Sequence, residues 1–181
     1  IFSSLMEGKT YVISNTQFGR PSAIGKWKRP YNSVDEMTRD IIDNWNNTVN
    51  HQDRVVVVGN FAWDPKTAYD TLLALKAKEI IIVLGENDDP IIDLWRKKNL
   101  PSGVKIAENL YLDEEIGAVF SYWPMKEWPN KKKGWYNITG YPNRKYKTSP
   151  KNKSINCSLE QCNYKPQDIK SIIGLLEEIK E

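Results

Sequence analysis

Three short aliphatic runs, each ending in a polar, glycine-containing loop, constrain this chain more than any other feature. Tyr11–Ser14 runs into Asn15–Gly19, Val55–Val58 into Gly59–Trp63, and Ile80–Leu84 into Gly85–Asp89. The first reads as a strand that stops in a polar loop, and the continuous β-branched runs of the other two read as buried strands. Between the first two, Ser33 and Glu36 form a capping box, and Val34, Met37, Ile41, Ile42 and Trp45 recur at helical spacing. That pattern predicts a helix over Val34–Thr48. Ala68, Leu72 and Leu75 predict a second helix over Thr67–Lys78, and a third is expected over Ile91–Lys98. Strands alternating with helices specify an α/β architecture, in which ligands gather beyond the carboxyl ends of the strands. The three polar loops are therefore expected to converge.

The remainder is less regular. Asn109–Leu112 and Ala118–Ser121 read as strands around a turn at Asp113–Gly117, predicting a β-meander. Ile155–Leu159 reads as a late strand, and Gln167–Lys180 as a terminal helix behind Pro166. The 181 residues fit one domain. We set residues 1–9 apart as a leader or N-terminal extension and take 10–181 as the domain. No aliphatic run approaches the roughly 20 residues a membrane-spanning helix needs, and no signal-like segment opens the chain, so a cytoplasmic location is expected and no membrane partner.

Composition excludes several chemistries. The single histidine, His51, rules out sites that need two imidazoles, including most catalytic zinc sites. It lies in a polar turn and reads as a surface residue. Cys157 and Cys162 are five apart, which fits neither a CxxC redox pair nor half of a four-cysteine zinc site. They read as small buried or half-buried thiols.

The segments Ile13–Arg20, Lys28–Met37, Asn44–Asn46, Gly59–Ala62, Gly85–Asp88 and Ser121–Pro124, in that order and spacing, resemble the calcineurin-like metallophosphoesterases, in particular their small phage and bacterial branch. The resemblance runs from Thr10 to about Pro166. It implies an α/β fold with central mixed β-sheets forming a β-sandwich flanked by helices. In the family the motifs supply a two-metal centre and a histidine general acid. Here Asn15 and Gln17 stand for the aspartate and histidine of the first motif, and Asn60 for the bridging aspartate. Glu86 stands for the asparagine ligand, Asn87 for the general-acid histidine and Tyr122 for the histidine after Ser121. Gly140–Asn143 stands for the late Gly-His-x-His motif. A two-metal hydrolase needs anionic carboxylates and imidazoles to hold its cations, and neutral amides supply no compensating charge. The resemblance thus implies a member that is no enzyme and needs neither metal nor other cofactor.

Neutral amides and phenols could hold a sugar, base or phosphate without cleaving it. The ligand-binding set expected is Asn15, Gln17, Arg20, Asn60, Trp63, Asn87, Tyr122, Tyr141 and Asn143. Arg20 offers a bidentate phosphate contact and Trp63 a stacking face. Trp27 and Arg29 are weaker candidates. The leading expectation is a protein that sequesters a nucleotide-derived or phosphorylated small molecule. The resemblance suggests a phage sponge for a host immune signal such as a cyclic oligonucleotide or a cyclic or conjugated ADP-ribose. The alternative is a protein-interaction module using the former active-site face or the Trp-rich 123–136 segment. A sponge calls for unpaired polar groups in a deep pocket; an interaction module calls for a shallow apolar face. Residues 126–153 carry nine lysines and arginines against Glu127 alone. The net charge of the whole chain is only +3, so nucleic acid is not expected as a partner. If the sponge reading holds, Asn60→Ala and Tyr122→Ala should each weaken binding with little effect on stability.

Overall fold

The structure, a computed structural model, describes residues 7–179, so Ile1–Met6 of the expected leader lie outside the described residues. Lys9 is part of the fold, since its backbone N–H donates to Asp53 Oδ1 at 2.8 Å. Nine strands form two sheets. The first has the order β4-β3-β2-β1-β9 and the second β5-β6-β7-β8. Strands β1 (Thr10–Ile13), β2 (Arg54–Val58), β3 (Glu79–Val83) and β4 (Val104–Ala107) are mutually parallel, and the short β9 (Gln167–Asp168) adds antiparallel to β1. Among the described residues five α-helices accompany the sheets: α1 (Ser22–Lys26), α2 (Val34–Thr48), α3 (Pro65–Ala74), α4 (Asp89–Arg96) and α5 (Ile169–Ile179). This is an α/β fold of two sheets flanked by helices.

Alternation along each strand divides the core. Tyr11, Ile13, Val55, Val57, Ile80 and Ile82 face α2, α3 and α4, whereas Val12, Val56, Val58 and Val83 face the second sheet and α5. Burial on both faces is why the first-sheet strands read as unbroken aliphatic runs. Ser33 Oγ accepts from the Glu36 backbone N–H at 3.1 Å, so α2 starts where its capping box places it. Its apolar stripe ends at the fully buried Trp45, whose indole N–H donates to the Lys76 carbonyl at 2.8 Å.

Three expectations need correction. The helix expected over Thr67–Lys78 is Pro65–Ala74; Asp64 caps it through the Thr67 N–H at 2.9 Å, and Leu75 leaves helical geometry to enter the core. The expected meander holds only between β5 (Tyr111–Asp113) and β6 (Ala118–Ser121). Strands β6, β7 (Tyr136–Thr139) and β8 (Ser154–Asn156) are parallel, so long crossover loops join them. Strands β4, β7 and β9 have no counterpart among the expected elements; β7 lies inside a Pro-, Lys- and Trp-rich segment that hides it. The terminal helix starts at Ile169 because Gln167 and Asp168 pair with β1 instead.

Candidate functional site

The loops after β1, β2, β3, β6 and β8 meet at one end of the sandwich, as the strand-end rule requires. Ser14 Oγ lies 2.5 Å from the Val58 carbonyl and 2.9 Å from the Gly140 carbonyl, pinning three strand ends together. A Cβ on Gly140 would fall 1.9 Å from Val58 O, and Gly59, at φ +83°, lies against Gly85 and the Tyr122 ring. Asn15, Gln17 and Asn60 all hold left-handed backbone, at φ 58°, 54° and 58°. Asn adopts this region readily and Gln less so, and such residues gather at functional sites.

These residues form a buried, continuous hydrogen-bonded floor. Gln17 Nε2 donates to Asn15 Oδ1 at 2.9 Å, and Asn60 Nδ2 reaches the same oxygen at 3.3 Å. Asn60 Nδ2 also donates to the Tyr122 hydroxyl at 2.9 Å, which donates on to Glu86 Oε1 at 2.8 Å. Asn87 N–H returns to Asn60 Oδ1 at 3.0 Å. Burial and the Glu86 carboxylate both push the Tyr122 phenol upward, so it stays a neutral donor. Beneath the floor, Asp88 accepts backbone N–H groups from Asn60 (2.8 Å), Phe61 (2.9 Å) and Gly85 (2.6 Å). It ties the β2 and β3 loops together. Burial pushes its carboxyl upward while the three N–H groups pull it back, burial being the larger effect.

One side chain in the centre is cationic. The Arg29 side chain is fully buried, donating to Glu160 Oε1 through Nε at 2.8 Å and to the Asn15 and Thr16 carbonyls. Asn15 Nδ2 completes the pairing of Glu160 at 3.2 Å. The donor set therefore does not fit the pair of divalent cations that the metallophosphoesterase motifs hold. Its oxygens are mostly neutral amides, the nearby carboxylate Glu160 is paired with Arg29, and among the described residues no three His, Cys, Asp or Glu side chains cluster.

Asn15, Gln17, Asn60 and Tyr122 thus form the floor and do not wait unpaired for a ligand, which corrects the expectation for them. They are at most 1% exposed, because each finds its partners in the others. Open space lies beside them. A pocket of about 500 Å³ is lined by Lys26, Trp27, Lys28, Tyr141, Asn143, Arg144 and Ser158 together with the carboxylates Glu86 and Glu160. Both carboxylates already have partners in Tyr122 and Arg29. Lys26, Lys28 and Arg144 have no ion pair among the described residues. Ser158 is fully buried, and its hydroxyl has no hydrogen-bond partner.

The other expected residues separate. Trp63 and Asn87 line a neighbouring cleft of about 450 Å³. Arg20 stacks on Trp63 at 4.9 Å and reaches Gln17 Oε1 at 3.3 Å, so it braces the floor. Of the Trp-rich segment, Trp128 packs inward and donates to the Trp135 carbonyl, while Trp123 is 52% exposed. Ser158 and Glu160 were missed entirely. They follow an unremarkable strand, and nothing in their local sequence marks them; Arg29 ranks only as a weaker candidate in the sequence because its partners lie 8 to 131 positions away.

No family model matches the chain. It is 30% identical over 181 residues to the uncharacterized protein MJ1445 of Methanocaldococcus jannaschii, covering 95% of this chain and 93% of that one. The crystal structure of AQ665, a protein of unknown function from Aquifex aeolicus, superposes with a TM-score of 0.70 at 20% identity, over 93% of this chain and all of that one. That likeness shows a shared fold. The phosphopantetheinyl hydrolase of Mycobacterium tuberculosis aligns at a TM-score of 0.36 and 15% identity, over 64% of this chain and 42% of that one, which carries no argument.

Proposed function

The chain belongs to one family with the Methanocaldococcus jannaschii protein MJ1445, and from its pocket we propose that it binds and retains a phosphorylated, nucleotide-derived small molecule without cleaving it. The proposed scaffold is a calcineurin-like phosphoesterase fold whose metal positions have become a neutral hydrogen-bonded floor. The motif order supports this reading, since Asn15, Asn60, Glu86 and Tyr122 follow the ends of β1, β2, β3 and β6.

One observation carries the proposal: the buried, unpartnered Ser158 hydroxyl in a pocket whose three cations lack ion pairs. A buried polar group without a partner is costly, and a ligand phosphate would satisfy it. Lys26, Lys28 and Arg144 would neutralise the phosphate, with Arg144 able to engage two oxygens. Trp27, with Arg20, Lys26 and Arg29 over its ring, and Tyr141, packed on Tyr122, Trp123 and Tyr146, give the pocket a braced aromatic wall against which a base or sugar would pack. Arg29, held by Glu160, keeps the first loop in place beneath the ligand. The amide-rich floor offers two divalent cations little compensating charge, which favours retention over two-metal hydrolysis.

Calorimetric titration with ADP-ribose, cyclic dinucleotides and inorganic phosphate tests this, followed by heat release and chromatography of the ligand. The expected result is saturable one-to-one binding of at least one nucleotide, recovered intact, and weakened at least tenfold in Arg144→Glu. Binding that survives both Arg144→Glu and Ser158→Val, recovery of a hydrolysed product, or no binding across the set would overturn it.

A further inference from the structure

A second cleft, lined in part by Lys145, Tyr146 and Lys147, adjoins the 141–147 loop that also borders the phosphate pocket. It measures about 650 Å³ and is walled by Lys126, Lys131, Lys145, Lys147, Lys151 and Lys153, with no acidic residue in its lining. Lys131 pairs with Glu127 and Lys153 with Glu177, both at 3.3 Å. Lys126, Lys145, Lys147 and Lys151 have no ion pair among the described residues. In a chain with 26 basic and 23 acidic residues, acids and bases elsewhere are mixed; here one sign is collected around a concave surface. Such a cleft focuses its field and draws in polyanions.

An aromatic ridge borders it. Tyr146 lines the cleft and is 38% exposed, and Trp123, 52% exposed, follows immediately before the lining residue Pro124. Tyr141 ties the two together, its ring centroid 4.8 Å from Trp123 and 5.7 Å from Tyr146. The ridge is therefore braced and half-exposed, a surface on which flat rings can stack. A basic groove beside exposed aromatics is the pattern that binds single-stranded nucleic acid, phosphates on the cations and bases on the rings.

We propose that the lysine-walled cleft between β7, β8 and the 123–131 segment binds single-stranded nucleic acid, with its phosphates on Lys126, Lys145, Lys147 and Lys151 and a base stacked on the Trp123–Tyr146 ridge. The proposal does not rest on the phosphate pocket and shares only the 141–147 loop with it. A duplex would be bound more weakly, because its paired bases cannot reach the ridge. Inorganic polyphosphate satisfies the lysines but not the rings, so it separates the two halves of the claim.

Fluorescence anisotropy of the full chain with labelled twelve-nucleotide dT and rU strands, the matching duplex and competing polyphosphate provides the test. Each phosphate neutralised adds about −0.7 to the slope of log affinity against log salt, so four lysines predict a slope of about −3. Lys126→Glu/Lys147→Glu/Lys151→Glu, all exposed positions, should weaken single-strand binding at least tenfold and flatten that slope with the melting temperature kept. Tyr146→Ala and Trp123→Ala should each weaken single strands about tenfold and leave polyphosphate unchanged. Duplex bound as tightly as single strands, polyphosphate competing equally with neither aromatic variant having an effect, or no measurable binding would each overturn the proposal. Ser158→Val, which tests the phosphate pocket, should leave oligonucleotide affinity unaltered, so either reading can fail alone.

Discussion

Removing the Asp88 carboxylate should cost as much as removing the largest side chain of the floor above it. Its two oxygens are the acceptors for three backbone N–H groups, from Asn60, Phe61 and Gly85, at a position 1% exposed. In Asp88→Ala those donors lose their acceptor. At about 1–3 kcal/mol per stranded buried donor, less what is regained by relaxation and by no longer burying a carboxyl, the expected loss is about 3–5 kcal/mol. Asp88→Asn keeps one acceptor oxygen but turns an NH2 toward N–H donors, so about half that loss is expected. Urea denaturation reads both values from the midpoint at constant m. Hydrogen exchange should find the amides of Asn60, Phe61 and Gly85 exposed first. The pH dependence has a definite sign: burial raises the Asp88 carboxyl above its unfolded value, so its contribution is present at acid pH and lost as pH rises through that range. The stability advantage of the natural chain over Asp88→Asn should therefore shrink from pH 3 upward. An Asp88→Ala chain within about 1 kcal/mol of the natural one would refute the claim that this carboxylate joins the two loops.

Further expectations concern the same end of the sandwich and the chain's titrating groups. Gly140→Ala places a Cβ 1.9 Å from a backbone oxygen, so the strand ends must separate; a drop of about 2–4 kcal/mol in the same denaturation assay is expected. Tyr122→Phe keeps the packed ring and removes one of the two acceptors of Asn60 Nδ2 and the donor to the exposed Glu86, costing about 0.5–1.5 kcal/mol, whereas Tyr122→Ala leaves a cavity and costs about 3–5 kcal/mol. Asn60→Ala and Tyr122→Ala are therefore stability variants first, contrary to what the sequence alone suggests. Burial pushes the Cys162 thiol up to about 12 and Cys157 well above its ordinary value, so neither should react with iodoacetamide at pH 8 until the chain is unfolded. Burial and the Glu177 hydrogen bond push the Tyr136 phenol up to about 12, and Tyr11, Tyr31, Tyr111, Tyr122 and Tyr164 are raised as well. Their shared contribution is intact below about pH 10 and lost above it, so stability should fall steeply between pH 10 and 12, measured by tyrosinate absorbance alongside circular dichroism.

Periodicity and local chemistry determined a good part of this molecule. Burial on both faces left β1, β2 and β3 legible as aliphatic runs, and the Ser33–Glu36 box marked the start of α2 because capping is decided within four residues. The convergence of the three polar loops followed from strand order alone. Tertiary structure decided the rest, because it depends on contacts between distant residues. Strand β7 was hidden in a lysine- and tryptophan-rich stretch, since its partners on both sides are supplied by β6 and β8. The family resemblance pointed to the floor residues but not to their state: whether Asn15, Gln17 and Asn60 await a ligand or satisfy one another depends on angstrom-scale geometry. Arg29 and Glu160, 131 positions apart, meet only in the fold, as do the Ser158 hydroxyl and the three cations around it. The same holds for charge. Summed over the chain, the lysines nearly cancel against the acids and argue against a polyanion; folded, six of them wall one cleft whose lining includes no carboxylate, four of them without an ion pair among the described residues, and an electric field is set by position, not by totals.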